Sequence, residues 1–351
     1  MALQKFIVAR DDTRYHAWPD VAMTKSGRLV CVFTECEHHR DRTNSRIMLT
    51  FSDDRGRTWS EKKALSEFSQ KDHFFNCARI SRLPDGTMLV NVDRSNELDD
   101  TSVAVQYFWH GDENGESWAE PVVASMDCIV PDKPLFTKDG GIIYSGHKKG
   151  AATGKLEQYC WRSDDGGRTW GERVTVAADP RFNLCEGSMI ELPTGELVCF
   201  MRENSAKGLD CKKAISHDGG KSWEGVFDVP IPACHRPVAG FLNDGNILIT
   251  HRFMQGGKGW LGRWTQNVFA AVISPETALK TERGEQSARI MPLDYDRSPE
   301  SDLGYTGWVQ FDDGEIYVVN YIVDDAPKAH IRGYSFYPED ILLQKERTTK
   351  K

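Results

Sequence analysis

Along the chain, a short polar turn built on glycine is followed repeatedly by a run of apolar and β-branched residues. It reads SGRLVCVF from Ser26, DGTMLVNV from Asp85, DGGIIYSG from Asp139, TGELVCFM from Thr194, DGNILITH from Asp244 and DGEIYVVN from Asp313. The glycines Gly27, Gly86, Gly140, Gly195, Gly245 and Gly314 are spaced 59, 54, 55, 50 and 69 residues apart. Helical periodicity is nearly absent. An Asp-Gly pair between apolar runs is the strongest short hairpin signal, and a two-residue type I′ turn with φ > 0 at both positions is the expected form. Each turn therefore joins two strands, and ~50–60 residues per repeat is room for a four-stranded blade. The pattern predicts an all-β fold: a six-bladed β-propeller of four-stranded antiparallel blades, with the glycine turn between the inner two strands of each.

The ends fit a closed ring. KFIVA (Lys5–Ala9) reads as a strand without a neighbour in sequence, and AHIRGYSF (Ala329–Phe336) follows the last hairpin. The first is expected to complete the last blade beside the second. Residues 1–343 then form one domain, and 344–351 a frayed tail. The stretch Gly256–Arg297, which carries Gly, Trp and Arg, is expected to loop over the axial pocket.

A second repeat lies between the hairpins. SDDRGRTW (Ser52–Trp59), SDDGGRTW (Ser163–Trp170) and SHDGGKSW (Ser216–Trp223) share one pattern, and GDENGESW (Gly111–Trp118) is a degenerate copy. Their tryptophans are 59, 52 and 53 residues apart, the blade period again. Asp54, Asp165 and Asp218 are placed to bond the backbone of their own turns, and the tryptophan to anchor the turn on the sheet. One active site does not need four copies of its acid, so these carboxylates are read as structural. The pattern S-x-D-x-G-x-[ST]-W resembles the Asp-box of sialidases and related BNR-repeat proteins. Together with the six hairpins, the resemblance covers nearly the whole chain and implies a sialidase-like propeller with its active site on the axis.

Composition narrows the partners. The net charge is −8 with acids and bases mixed along 351 residues, which argues against nucleic acid. No run approaches the length of a transmembrane helix, and MALQKFIVAR has no export signal. The nine cysteines form no CxxC pair, so they are read as reduced thiols of a cytoplasmic protein. Cys36, His38, His39, Cys77, Cys185, Cys234 and His235 fall near the axial openings, but no recognised metal spacing occurs among them. Neither metal nor cofactor is expected.

The first strand of each propeller blade lines the axis, so chemistry belongs where that strand starts and where its hairpin partner ends. Those positions hold His16-Ala17-Trp18-Pro19-Asp20, Asn76 to Arg79, Pro131 to Pro134, Cys185-Glu186-Gly187, Cys234 to Pro237 and Gly304 to Gly307, then Glu35 to Asp41, Asp93-Arg94, His147-Lys148, Arg202-Glu203, His251-Arg252 and Asn320-Tyr321. By resemblance to sialidases, Tyr305 stands at the nucleophile's place, Glu186 at that of its base, Arg202 at that of a carboxylate-binding arginine, and Asp41 at about the distance of the general acid from the first Asp-box. A neutral tyrosine suits a sugar with a carboxylate on its anomeric carbon, which would repel a carboxylate nucleophile.

The chain also departs from the family. Ala17-Trp18-Pro19 stands where sialidases open with Arg-Ile-Pro, and acids occupy the segment after the first hairpin. Arg79, Arg236 and Arg252 are the candidates to replace the missing arginines. Trp18, Asp20, Glu35 and His235 complete the candidate substrate contacts. The expected activity is removal of a terminal acidic or sialic-like sugar by an exo-acting glycosidase. Two alternatives stay open: a polysaccharide lyase or other uronate-cleaving enzyme using His147, His235, His251, Arg236 and Tyr305, and a carbohydrate-binding propeller with Trp18, Trp260, Trp264 and Trp308 as sugar platforms.

Overall fold

The computed structural model describes residues 3–69, 73–95, 104–255 and 265–341. Six antiparallel sheets succeed one another along the chain. Blade 1 comprises Tyr15–Met23, Leu29–Cys36, Arg46–Ser52 and Lys63–Ala64; blade 2 comprises Phe74–Phe75 with Arg79–Arg82, Met88–Ser95, Val105–Gly111 and Val122–Ala124. Blade 3 comprises Leu135–Phe136, Ile142–Lys149, Leu156–Ser163 and Val174–Ala177; blade 4 comprises Leu184–Glu191, Leu197–Glu203, Asp210–Ser216 and Glu224–Pro232. Blade 5 comprises Cys234–Phe241, Ile247–Gln255, Thr265–Ile273 and Arg289–Tyr295. Blade 6 comprises Leu303–Gln310, Ile316–Ile322 and His330–Phe336, and Gln4–Ala9 pairs antiparallel with His330–Phe336 to finish it. The propeller and the closing strand are as expected. Among the described residues, no helix is long and apolar enough to cross a membrane.

The core follows from burying both faces of each inner strand. Leu29–Cys36 is buried at every position, which is why its sequence is a continuous apolar run and not an alternation. The buried side chains form a hydrophobic cluster at each blade junction: Val32 with Ile80, Phe108 with Tyr144, Cys160 with Leu197, Phe200 with Ile249, Leu248 with Val318, and Leu29 with Tyr317.

The hairpin turns differ in detail from the expectation. Thr24 and Arg28 close a three-residue loop, the Gly27 amide donates to the Thr24 carbonyl at 3.1 Å, and only Gly27 has positive φ, at 89°. This is a type I turn followed by a left-handed glycine, not a type I′ turn. Asp85, Asp139, Asp244 and Asp313 therefore keep ordinary backbone conformations, and the glycine alone meets the steric demand.

The Asp-boxes sit between third and fourth strands. Ser52 Oγ accepts the Gly56 amide at 2.8 Å and donates to Asp54 Oδ1 at 2.8 Å; Asp54 accepts the Thr58 amide at 2.8 Å and its hydroxyl at 2.6 Å. Ser163 with Asp165 and Ser216 with Asp218 repeat the arrangement. In the degenerate copy the role moves one residue, to Asp112, which accepts the amides of Asn114, Glu116 and Ser117 at 3.0 Å each. Gly111 replaces the serine because a Cβ there would come within 2.8 Å of the Trp118 ring.

In blade 5 a helix, Pro275–Leu279, and a 3-10 turn, Arg283–Glu285, occupy the Asp-box position; Ser274 Oγ caps the helix by accepting the Thr277 amide at 3.1 Å. Residues 265–297 thus build the outer half of blade 5 and are not a loop over the pocket. Trp260, Trp264 and the tail 344–351 lie outside the described residues.

Two tests follow from the fold. A Cβ on Gly307 would meet Asp20 Oδ1 at 2.1 Å and the Asp20 and Val21 backbone at 2.7–2.8 Å, at the seam of blades 6 and 1. Backbone cannot swing aside, so Gly307→Ala is expected to cost about 1–3 kcal/mol, read by denaturant unfolding. Asp165→Ala is expected to lower the melting temperature at neutral pH. Hydrogen bonds from Thr169, then Ser163, hold the Asp165 carboxyl at about 2, below its ordinary 3.8. Its contribution is complete above the ordinary value and is lost as pH falls toward 2, so the gap in melting temperature between the two proteins should narrow from about pH 5 to about pH 3. A gap that stays constant would show that the carboxylate is not what the turn depends on.

Candidate functional site

A slip in the inner strands brings polar residues to the axis. Opposite the two steps from Thr34 to Val32, the innermost strand of blade 1 spends three, from Ala17 to Asp20. The same bulge occurs at Cys185–Ser188, His235–Val238 and Gly304–Gly307. Within these bulges Trp18, Glu186, Arg236 and Tyr305 have φ of 54°, 52°, 50° and 54°. For residues with a Cβ, this left-handed conformation costs on the order of 1 kcal/mol each. The bulge re-aims each side chain from the sheet face to the centre.

Across that centre Tyr305 Oη, from blade 6, donates to Glu186 Oε1, from blade 4. Arg202 ends the hairpin that Glu186 opens. Its Nη1 donates to the two Glu186 oxygens at 3.0 and 3.1 Å and to Tyr305 Oη at 3.2 Å, and its Nη2 donates to Asn204 Oδ1 at 2.6 Å. Burial alone would raise the Glu186 pKa; the charge of Arg202, then that of Arg236, reverses this and holds it at about 2. Burial and the Glu186 charge push the Tyr305 hydroxyl well above its ordinary value. At neutral pH the pair is an ionised carboxylate accepting from a neutral phenol.

Arg252 and His235 flank Tyr305. The Arg252 Cζ lies 5.2 Å from the tyrosine ring centroid, and its Nη2 donates to His235 Nδ1 at 3.3 Å. Burial, then the charges of Arg202 and Arg252, keep His235 neutral. His147, at the end of the blade 3 hairpin, supports Glu186 from behind: its Nδ1 accepts the Glu186 amide at 3.2 Å, and burial lowers its pKa to about 4.

Arg79, Arg236 and Asp20, expected as substrate contacts, are fully buried and bonded within the protein. Arg79 is fully buried, donates to the Thr306 carbonyl at 3.1 Å, and lies 3.6 Å from Asp20 and 3.5 Å from Asp132. Arg236 is fully buried and donates to the carbonyls of Val130 and Pro131 at 3.2 and 2.8 Å. Asp20 accepts the amides of Val21 and Ile80 at 2.9 Å each and the Lys133 ammonium at 3.1 Å. Carbonyls and carboxylates of blades 1, 3 and 6 thus surround the two arginines.

Four further candidates are engaged with other parts of the protein. Glu35 is fully buried and held by Arg46 at 2.9 Å, His16 at 3.0 Å and Lys62 at 2.5 Å. With Asp11 these acids and His16 form a group with metal-ligand spacing, but the Lys62 ammonium lies among them, 2.8 Å from Asp11 and 3.0 Å from His16 Nε2. Trp18 is buried, with the Arg42 guanidinium 4.3 Å over its ring, so it offers no open sugar platform. Trp308 packs on Gly240 and donates to the Val238 carbonyl at 3.1 Å, at the junction of blades 5 and 6. Asp41 is exposed, and its Oδ1 accepts the amide and hydroxyl of Thr43 at 3.2 and 2.5 Å, which turns it into its own loop.

The reading of the sequence missed Arg42 and the pairing of His39 with Asp302. Both lay beside named positions, in HisHisArgAspArg and three residues before Tyr305.

A family model described as a BNR repeat-like domain matches residues 66–262. No curated protein matches the chain. Among solved structures, a protein of unknown function from Dyadobacter fermentans is similar at TM-score 0.76 and 21% identity, over 95% of this chain and 98% of that one. The NanB sialidase from Streptococcus pneumoniae is similar at 0.66 and 13%, over 93% and 69%. An alpha-L-arabinanase from Penicillium chrysogenum is similar at 0.64 and 13%, over 96% and 99%. At these identities the likeness is one of fold, a propeller that glycosidases of more than one kind carry.

Arg202→Met should release Glu186 from its nearest positive charge. The carboxyl pKa is then expected to rise from about 2 to about its ordinary 4.5 or higher, as burial goes less opposed. Carbon-13 NMR titration of labelled glutamate reads it; an unmoved titration would mean that Arg202 does not govern the pair.

Proposed function

We propose that this chain, which belongs to the BNR repeat-like family, is an exo-acting glycoside hydrolase of sialidase type that releases a terminal acidic or sialic-like sugar with retention. The observation that carries the reading is the contact of Tyr305 with Glu186 under Arg202, three side chains from two blades. Tyr305 is the nucleophile and Glu186 takes its proton. A carboxylate held near 2 is a weak base, and here the substrate supplies the correction. A sugar carboxylate that takes up Arg202 withdraws the charge that stabilises ionised Glu186, and its own negative charge adds to the effect. The proton affinity of Glu186 rises as the substrate arrives. Arg252 stands beside the tyrosine ring to balance the growing phenolate.

Arg202 holds the acid group of the sugar, with Arg252 beside it, although Arg252 also donates to the Leu303 carbonyl at 3.3 Å; Arg79 and Arg236 lie buried against carbonyls. The lyase alternative is less favoured. Burial keeps His147 and His251 at about 4, and His147 Nδ1 is already engaged by the Glu186 amide. Such imidazoles are neutral but poor bases.

Tyr305→Phe is expected to fold normally and to lose roughly 10²–10⁴ in turnover, and Glu186→Gln to lose a similar amount. The double variant should be little worse than either single, because the two act as one unit. The assay is hydrolysis of aryl glycosides of sialic acid, other ulosonic acids, uronic acids and neutral sugars. Full activity in Tyr305→Phe would end this mechanism; a preference for neutral sugars would remove the acidic substrate.

A further inference from the structure

The leaving oxygen of a glycoside needs a proton, and Asp41 faces its own loop. We infer that His39, oriented by Asp302, is the proton donor and acceptor of the axial site; the inference rests on the glycosidase reading above. His39 lies in the connection between the second and third strands of blade 1, and Asp302 immediately precedes the strand Leu303–Gln310 that carries Tyr305. The two are 263 residues apart in sequence, and His39 Nδ1 stands 2.6 Å from Asp302 Oδ2.

The tautomer follows from the acceptor. Asp302 also receives the hydroxyl of Tyr15 and, at 2.8 Å, that of Tyr321. Burial would raise its pKa, but the bond and charge of His39, then the bond from Tyr15, hold it below the ordinary value. An ionised carboxylate only accepts, so Nδ1 carries the hydrogen and Nε2 is the nitrogen that exchanges a proton. The histidine side chain is 31% exposed and the aspartate 15%, so the imidazole meets solvent while its partner is sheltered. A sheltered carboxylate orienting an accessible imidazole is what general acid–base catalysis requires.

The pair borders the site. The His39 ring packs edge-on to Trp18 at 5.2 Å between centroids, and Tyr321 lies 6.1 Å from Trp18 and 6.4 Å from Tyr305. In the first step Tyr305 Oη bonds to the anomeric carbon and its proton passes to Glu186. The bond from that carbon to the leaving oxygen breaks, the electron pair stays on the oxygen, and the proton on Nε2 neutralises it. In the second step a water oxygen bonds to the anomeric carbon and gives a proton to Nε2. The carbon–tyrosine bond breaks, its pair returns to Oη, and Glu186 returns the proton. One water is consumed, and a sugar and an alcohol leave.

The test varies the leaving group. Wild type and His39→Gln are compared on two glycosides of whichever acidic sugar wild type hydrolyses. One carries 4-nitrophenol, which departs without a proton, and the other an alkyl alcohol, which does not. His39 is partly exposed, so its replacement does not threaten the fold. On the alkyl glycoside kcat/KM is expected to fall about 10²–10⁴-fold, and on the aryl glycoside less than about tenfold. Asp302→Asn, as a positioning variant, should show the same dependence on the leaving group, which loss of structure alone would not produce. Equal losses on both substrates, or none, would overturn the assignment of His39 and leave the glycosidase reading standing. A wild type that hydrolyses no such glycoside overturns both.

Discussion

The antiparallel pairing of Gln4–Ala9 with His330–Phe336 holds the ring shut, and the axial residues keep their places through it. It locks the first residues of the chain onto the last blade and so brings blade 6 against blade 1. At that seam Gly307 lets the backbone of Asp20 approach without a Cβ between them, and Arg79 reaches from blade 2 to the Thr306 carbonyl. The seam carries Tyr305 on one side and Trp18 on the other. With the ring open, Tyr305 would have no reason to face Glu186, since no strand of blade 4 pairs with a strand of blade 6.

Two layers of charge then occupy the axis, and the kind of partner each holds tells them apart. The lower layer, Arg79, Arg236, Asp20 and Asp132, is wholly or almost wholly buried and bonded to backbone groups of several blades. Removing such charges from water is tolerable only with that many partners. In the upper layer Arg202, Glu186 and Tyr305 bond chiefly one another, while Arg252 bonds His235, Gln266 and the Leu303 carbonyl. Arg202 divides its terminal nitrogens among a carboxylate, a phenol and an amide oxygen. A chain of net charge −8 thus sets four arginines against three carboxylates at its centre, where low dielectric makes each charge count most.

Much of the fold was legible in local chemistry. Glycines at the blade period demanded turns, continuous apolar runs demanded strands buried on both faces, and the Ser-x-Asp-x-Gly pattern satisfied its own turn amides without help from afar. Glu186, Tyr305 and Arg202 were legible as axial residues through the polar register of the blade openings, and were singled out there by the resemblance to sialidases. The turn type was not legible, since Asp-Gly fits both a type I′ turn and a type I turn with a left-handed glycine, and only the strand register distinguishes them.

The sequence by itself determined the number of blades, their strand order, the structural role of the Asp-boxes and the register at which polar residues meet the axis. These depend on spacing and on bonds made within a few residues. The tertiary structure alone decided that Arg79 and Arg236 bond carbonyls of other blades while Arg202 bonds the side chains of Glu186 and Tyr305. It also decided that Lys62 lies among the acids of blade 1, and that His39 meets Asp302. Each of these depends on a partner dozens to hundreds of residues away, and electrostatic energy falls with distance in space, which a closed ring sets independently of distance along the chain.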